Sequence, residues 1–479
     1  MKIILKKQGL IKLILGFSVA SWVSAVINFI ILPISTRVFE PAQLASINLF
    51  YAIFTMVSWV AILGLDQGYI RYFHEKETEV EKKNLLSVCM ALSVIALVFI
   101  AVSVIPFQTE IAVWVLNDDN NMVVLFLFIC ALNAVVQRYI SLFHRMRNSV
   151  ILFTVTTVCA SAVIKLSYLG AAVFDANYYT AIMLMVITSA IFLTFTVLVN
   201  RKNINLRISI KRALKPSLLK FSFPLMPISI MAILNNDIPQ YFLRGFDELS
   251  QLGVYTSAVT LAGIITLLQS GLNVFWGPFV FRNYKNEVKS IMKMHEIIVF
   301  LMVAFAILII AFQDIIILLL GENYRAVTDF LPFLLFSPVS YTIAETTGVG
   351  IALEKKSNIN LLIYASSIIV NFLACYILIP LYSVEGAAIS SAIAASFMLI
   401  LKTIFGQKYF RSIRRYRYMI AGMAVLLIVA ITNVKFNMND WLCLAINSFA
   451  LIGLSVFFDL NSLLKSCWKE VRGGSKDEV

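Results

Sequence analysis

The sequence of 479 residues has little charge: Asp, Glu, Lys and Arg make up only 14% of it, whereas an ordinary soluble domain carries about 25%. Hydrophobic residues account for 60% of the chain, so a water-soluble fold could not cover its surface with polar groups. This composition excludes a soluble enzyme, a disordered chain and a secreted disulfide scaffold. It predicts an all-α protein that crosses a membrane many times.

Residues that carry covalent or metal chemistry are scarce as well. None of the six cysteines forms a C-x-x-C pair, and the three histidines are scattered. The His-Glu pairs that start at His74 and His295 lack the second histidine four residues later, so the zinc-protease motif is incomplete. The sequence has no Gly-Lys dipeptide and therefore no P-loop. We expect neither a metal nor a cofactor, and we predict that the protein is not an enzyme.

What the sequence does contain is apolar runs, each long enough to cross about 30 Å of hydrocarbon as a helix. A backbone exposed to lipid has to satisfy its own hydrogen bonds, which makes helices the expected structure. The runs lie at 11–36, 44–66, 84–107, 120–140, 149–171, 177–199, 221–243, 251–276, 294–320, 328–352, 358–380, 384–406, 417–434 and 439–460. They predict fourteen transmembrane helices.

The distribution of Lys and Arg gives these helices an orientation. If the N-terminus is cytoplasmic, the segments predicted inside carry 34 of the 39 basic residues and those predicted outside carry 4. The remaining one, Lys165, lies within a run. Both termini are therefore predicted to be cytoplasmic. The same asymmetry explains the net charge of +13, which indicates contact with anionic lipid head groups rather than a nucleic-acid partner.

The longest basic connector, 201–220, follows the sixth run. It divides the first twelve runs into halves at 1–200 and 221–410, and both halves enter the membrane from the cytoplasm. Equal orientation predicts a pseudo-twofold axis along the membrane normal. Residues 411–479 are predicted to form two extra helices and a cytoplasmic tail. Pro33 in the first run and Pro224 and Pro227 in the seventh predict breaks at corresponding places in the two halves.

The connectors predicted outside are short, and the longest, at 108–119, has about a dozen residues. A membrane glycosyltransferase or polysaccharide polymerase would be expected to have a large outside loop with catalytic carboxylates. The sequence therefore favours a carrier.

Ionisable residues at membrane depth are costly and mark candidate functional sites. Lys165 lies sixteen residues into its run, which places it about 24 Å from the cytoplasmic side. The candidates for substrate binding are Lys165, Arg37, Arg71, Trp276 and Arg282, and those for an ion-coupling site or cavity lining are Asp66, Asp237 and Glu345. The alternatives are interfacial anchoring for the three arginines, core packing for Trp276, and pairing within the bundle, including a Lys165–Asp237 bridge.

Several segments, in their order along the chain, resemble one known family. The segments are Ile31–Arg37, Gly64–Arg71, Phe221–Pro227 with Asp237, Gly253–Tyr255 with Trp276–Pro278, and Val384–Ile389. Together they resemble the polysaccharide transporter family, the Wzx-type O-antigen and capsule flippases of the multidrug/oligosaccharidyl-lipid/polysaccharide exporter superfamily. The resemblance covers about residues 10–410.

The resemblance implies a flippase of the bacterial inner membrane. Its substrate would be an undecaprenyl-pyrophosphate-linked oligosaccharide, an O-antigen or capsule repeat unit, moved to the outer leaflet by alternating access. A polysaccharide polymerase, chain-length proteins and Na⁺ or H⁺ as coupling ion are the implied partners. The main alternative is a multidrug or cation antiporter of the same superfamily that uses Asp66, Asp237 or Glu345. A multispan glycosyltransferase or polymerase is the alternative from another class.

Overall fold

The computed structural model describes residues 2–117, 119–205, 216–246, 249–435 and 440–459. Within these ranges the chain forms helices and connecting turns, without β-strands. The α-helices are α1 (Lys2–Val38), α2 (Pro41–Ile62), α3 (Leu65–Phe73), α4 (Glu79–Val104), α5 (Gln108–Leu116), α6 (Met122–Met146), α7 (Val150–Leu169), α8 (Ala171–Phe174), α9 (Tyr178–Asn200), α10 (Pro216–Ser222), α11 (Met226–Gly245), α12 (Leu249–Ala262), α13 (Ile265–Asn283), α14 (Val288–Ala311), α15 (Gln313–Ile317), α16 (Leu331–Leu334), α17 (Phe336–Thr347), α18 (Val349–Leu353), α19 (Ser357–Tyr409), α20 (Tyr416–Lys435) and α21 (Asp440–Phe457). Short 3₁₀ helices lie at Ile105–Phe107, Phe223–Leu225 and Glu322–Asp329. The predicted all-α polytopic membrane fold is confirmed.

Among the described residues, ten helices are long and apolar enough to span a membrane. Two further spans each consist of a pair of helices with a bend between them, of 45° in the eighth predicted span and 64° in the tenth. If each pair counts as one span, the number rises to twelve. The shorter apolar helix Trp441–Phe457 corresponds to the last predicted run, and the long helix α19 covers two runs. With α19 counted as two spans, the described helical segments therefore account for the fourteen apolar runs.

The long helix α19 is a hairpin of two antiparallel arms. Ser383 has non-helical dihedral angles (φ 47°, ψ −120°) and reverses the chain. The Ser367 hydroxyl donates to the carbonyl of Ala394, 3.1 Å away, so the arms lie side by side. A Cβ on Gly386 would lie 2.2 Å from the carbonyl oxygen of Leu378, which explains glycine at this close approach. The predicted boundary between runs 358–380 and 384–406 coincides with this turn.

Prolines interrupt the helices at fewer places than their positions predict. Pro224 and Pro227 do interrupt the seventh span, which consists of α10, a 3₁₀ turn and α11. Pro33 lies inside the continuous helix α1, so the predicted break of the first span is wrong. The eighth span bends between α12 and α13, well before Pro278, and α13 continues past that proline. A proline removes one backbone hydrogen bond, which a helix can lose without ending.

The chain divides into two compact units. The first comprises residues 1–260 and 320–324, and the second comprises 261–319 and 325–479. Within the first unit α6 is one of the central helices, since 61% of its most apolar stretch is buried, whereas the corresponding stretch of α7 is only 6% buried. In the second unit α14 is buried to the same degree as α6. The division into two six-helix halves around 201–220 concerns an internal repeat and stays a prediction.

Candidate transport site

Lys165 lies on α7 in the first unit and is half-buried. Its ammonium nitrogen is 5.3 Å from the centroid of the Tyr51 ring on α2. An ammonium over an aromatic face gains about 2 kcal/mol where water is excluded. Within the part of the chain that the structure describes, no carboxylate forms an ion pair with Lys165. Among these residues its contact is therefore with an aromatic ring and not with a carboxylate.

A small polar cavity adjoins this ammonium. Its volume is about 30 Å³, and it is lined by Asn28, Ile31, Leu32, Ser35, Leu44, Asn48, Lys165, Tyr168 and Thr260. The Asn48 side-chain amide donates to the Thr256 hydroxyl over 2.9 Å, which fixes one wall. A cavity of this size has room for about one water molecule. In the conformation described, the site is therefore closed to a pyrophosphate or a sugar.

Asp66 lies at the start of α3 and is engaged in an ion pair. Its Oδ2 atom accepts from the Arg138 guanidinium over 2.6 Å and from the Gln67 amide over 3.0 Å. Asp66 is only 1% exposed, whereas the Arg138 side chain is 30% exposed and stands over the Trp59 ring at 5.0 Å. The geometry thus agrees with pairing inside the bundle. Arg138 was predicted to belong to the cytoplasmic loop, so this contact was not expected from the sequence.

Asp237 lies on α11, half-buried beside Gln240 and Tyr241. The Tyr241 ring packs on Trp114 with 5.8 Å between centroids, and its hydroxyl contacts the sulfur of Met56 at 3.6 Å. Among the described residues no Lys or Arg pairs with Asp237. The alternative of a Lys165–Asp237 bridge is therefore not observed in this conformation.

The same helix carries a second ionic group, Arg244, which the predicted topology assigns to an outside connector. Arg244 is 4% exposed and donates to the backbone carbonyls of Trp114 and Val113 at 2.5 and 2.9 Å. These bonds join α11 to the end of α5.

Glu345 lies on α17 in the second unit and pairs with Lys402 on α19. The Lys402 nitrogen is 2.5 Å from a carboxylate oxygen of Glu345 and about equally far, at 5.5 and 5.3 Å, from the rings of Tyr341 and Tyr364. The Lys402 side chain is 6% exposed, whereas that of Glu345 is 38% exposed. Lys165 is therefore not the only basic residue inside a long helix, since Arg138, Arg244 and Lys402 are others.

The other candidates do not join these sites. Arg37 and Arg71 are exposed, and the Arg71 guanidinium lies 5.9 Å from the centroid of the Phe221 ring, as expected of an interfacial anchor. Trp276 is 5% exposed and its ring centroid is 6.3 Å from that of Phe279, which agrees with core packing. The side chain of Arg282 lies outside the described part of the structure.

One signal for Arg138 was available in the sequence: Gln137, Arg138 and Asn133 are polar residues clustered in an apolar run.

Solved structures of membrane transporters share this fold. A structure titled lipid II flippase MurJ, inward closed conformation, superimposes with a TM-score of 0.68 at 14% identity, over 92% of this chain and 98% of its own. A MATE protein in the bent conformation gives a TM-score of 0.55 at 16% identity, over 89% and 97% of the two chains. An inward-facing MATE multidrug transporter of the MOP superfamily gives 0.52 at 13% identity, over 80% and 94%. The chain thus has the fold of multi-pass transporters.

The sequence itself identifies the family. A family model described as polysaccharide biosynthesis protein matches residues 11–284, more than half of the chain. The protein therefore belongs to the polysaccharide biosynthesis protein family. No curated protein sequence matches it.

Proposed function

We propose that the protein is a flippase, which moves an undecaprenyl-pyrophosphate-linked oligosaccharide from the cytoplasmic to the outer leaflet of a bacterial inner membrane. Membership of the polysaccharide biosynthesis family and the fold shared with a solved lipid II flippase support this class of function. The observation that carries the proposal is Lys165, a cation without a carboxylate partner among the described residues, beside a polar cavity within a membrane-spanning helix.

The physical task explains why such a site is needed. A pyrophosphate and a sugar chain lose their water in hydrocarbon, and each unpaired polar group then costs several kcal/mol. An ammonium and the amide and hydroxyl groups of Asn28, Asn48 and Ser35 are able to replace part of that hydration. The cavity of about 30 Å³ must widen to admit a head group. Alternating access through relative movement of helix bundles supplies such widening in transporters with internal repeats.

The finer features of the proposal come from the sequence. The substrate is an O-antigen or capsule repeat unit, and a polysaccharide polymerase and chain-length proteins act on it after translocation. Both termini are cytoplasmic. Reporter fusions at 78, 288 and 412 are expected to report inside, and fusions at 174, 324 and 382 outside. An outside signal at 288 would contradict the orientation.

A second candidate is a drug or cation antiporter. Asp237 favours it, because this half-buried carboxylate has no Lys or Arg partner within the described residues and so resembles a site for Na⁺ or H⁺. The fold shared with MATE transporters is compatible with this function as well. Under this alternative Asp237→Asn abolishes ion-coupled drug efflux.

Proteoliposomes test the two candidates with the full-length protein. The substrate is an undecaprenyl-pyrophosphate-linked oligosaccharide, and its transfer is followed by protection from a membrane-impermeant sugar oxidant. Charge-assisted hydrogen bonds contribute about 1.5–3 kcal/mol, so Lys165→Ala is expected to slow transfer at least about tenfold. Lys165→Arg retains part of the rate, because it keeps the charge in a different geometry. Lys289→Ala, which removes an exposed lysine, serves as the matched control.

The outcomes separate the functions. Unchanged transfer by Lys165→Ala at equal protein abundance would remove Lys165 from the site. Failure of the unmodified protein to transfer the oligosaccharide, together with ion-driven drug exchange that Asp237→Asn abolishes, would establish the antiporter instead.

A further inference from the structure

A groove separate from the Lys165 cavity runs between α4 and α6 in the first unit. Its volume is about 660 Å³, within the range of about 300–1,000 Å³ typical of small-molecule sites. Apolar side chains, including Val98, Val102, Leu125 and Phe128, line most of it. Val102 and Leu125 remain 60% and 55% exposed. In a membrane the exposed apolar side chains of this α4–α6 groove would face hydrocarbon.

One end of the groove is polar. Gln108, Asp119 and Asn121 form this rim, where α5 and the start of α6 meet. The Thr109 hydroxyl donates to the Asn121 side-chain oxygen over 3.1 Å, and this bond ties α5 to the turn before α6. An apolar groove with a fixed polar end has the shape of a site for one amphipathic molecule, tail and head group together.

The charge of the rim selects the head group. The sequence has no Lys, Arg or His between Lys83 and Arg138. Asp119 is exposed at the rim, and Glu110 is exposed on the neighbouring helix α5. An anionic head group, above all the pyrophosphate of a carrier lipid, would meet like charge at these carboxylates. The cation that bonds to α5, Arg244, is 4% exposed and donates to the backbone carbonyls of Trp114 and Val113. A head group with an ammonium meets a carboxylate instead, in a charge-assisted hydrogen bond.

We propose that the α4–α6 groove is a binding site for phosphatidylethanolamine. One acyl chain lies along Val98, Val102 and Leu125, the primary ammonium donates to the Asp119 carboxylate, and the phosphate accepts from the side-chain amides of Gln108 and Asn121. This site is independent of the flippase proposal, because it excludes the anionic carrier lipid that the flippase would move.

Native mass spectrometry of the full-length protein in detergent tests the assignment. The protein is titrated separately with phosphatidylethanolamine, phosphatidylglycerol and phosphatidylcholine of identical acyl chains. We expect one phosphatidylethanolamine to be retained about tenfold more tightly than either of the others, which corresponds to about 1.4 kcal/mol. Asp119→Asn should remove this preference. Val102→Trp should fill the groove and lower the retention of phosphatidylethanolamine to the level of phosphatidylglycerol.

Matched variants keep the test specific. Asp175→Asn removes an exposed carboxylate elsewhere, and Ile369→Trp enlarges an exposed apolar side chain on α19. Both are expected to bind like the unmodified protein. The assignment fails if phosphatidylglycerol binds as tightly as phosphatidylethanolamine, or if Val102→Trp and Asp119→Asn leave binding unchanged. It also fails if an undecaprenyl-pyrophosphate lipid displaces phosphatidylethanolamine at equal concentration.

Discussion

In the ion pair between Asp66 and Arg138 the carboxylate is buried and the guanidinium is partly exposed. The two single replacements should therefore lower the free energy of unfolding by different amounts. Arg138→Gln leaves the Asp66 carboxylate, 1% exposed, without its cation. Removal of one partner of a buried pair costs about 3–5 kcal/mol, because a buried charge is left uncompensated. Asp66→Asn leaves a guanidinium that is 30% exposed and stacked on Trp59. Water reaches that cation, so we expect a loss of only about 1–2 kcal/mol.

The double replacement Asp66→Asn with Arg138→Gln removes both charges. It should therefore be more stable than Arg138→Gln alone, although it carries one more substitution. The cysteines Cys89 and Cys130, both fully buried in the first unit, provide a readout, because a thiol-reactive dye labels them only when the protein unfolds. Labelling during a thermal ramp in detergent should rank stability as unmodified protein, Asp66→Asn, the double variant and then Arg138→Gln. The reasoning is refuted if Asp66→Asn is the most damaging variant, or if the single losses add in the double variant.

Two further predictions rest on exposure and on close contacts. In the ion pair of the second unit the cation is the buried partner and the carboxylate is 38% exposed. Glu345→Gln, which leaves a buried ammonium, should therefore lower thermal stability more than Lys402→Met, which leaves the exposed carboxylate. The opposite order of the two variants would contradict this prediction. Gly253→Ala should destabilise the protein by about 1–3 kcal/mol, because a Cβ would lie 1.9 Å from the carbonyl oxygen of Pro41. Gly453→Ala should be neutral in the same melting assay, because among the described residues a Cβ there would meet nothing within 4 Å beyond its own helix turn.

The spans could be predicted from sequence because a membrane imposes a length and a polarity on each one separately. No knowledge of neighbouring helices is needed to see that residues 120–140 are apolar. The ends of the helices were less well predicted, because the membrane constrains only the part of a helix that lies in hydrocarbon. The helix α6 continues to Met146 and α19 to Tyr409, because a helix persists into water beyond its apolar run. Arg138 and Lys402 lie a few residues before the ends of the runs 120–140 and 384–406, and both were counted with the loops that follow.

The partners of the charged residues could not be predicted, because they depend on how helices pack. Asp66 and Arg138 are 72 positions apart, and Glu345 and Lys402 are 57 apart. No local pattern connects residues at such separations. Depth in a span identified Lys165 as unusual, but the Tyr51 ring that contacts it belongs to another helix, and the size of the adjoining cavity depends on the conformation.

The turn at Ser383 has a consequence for how the protein is made. A single residue separates the two arms of α19, so the arm ends that meet at this turn stay adjacent once both are synthesised. The turn has no long polar loop that would have to cross the bilayer by itself. The backbones of the two arms also pack closely against each other at Gly386 and Leu378. The two arms should therefore leave the insertion machinery as one helical hairpin. A lengthened turn would allow the first arm to settle in lipid alone, before its partner is synthesised.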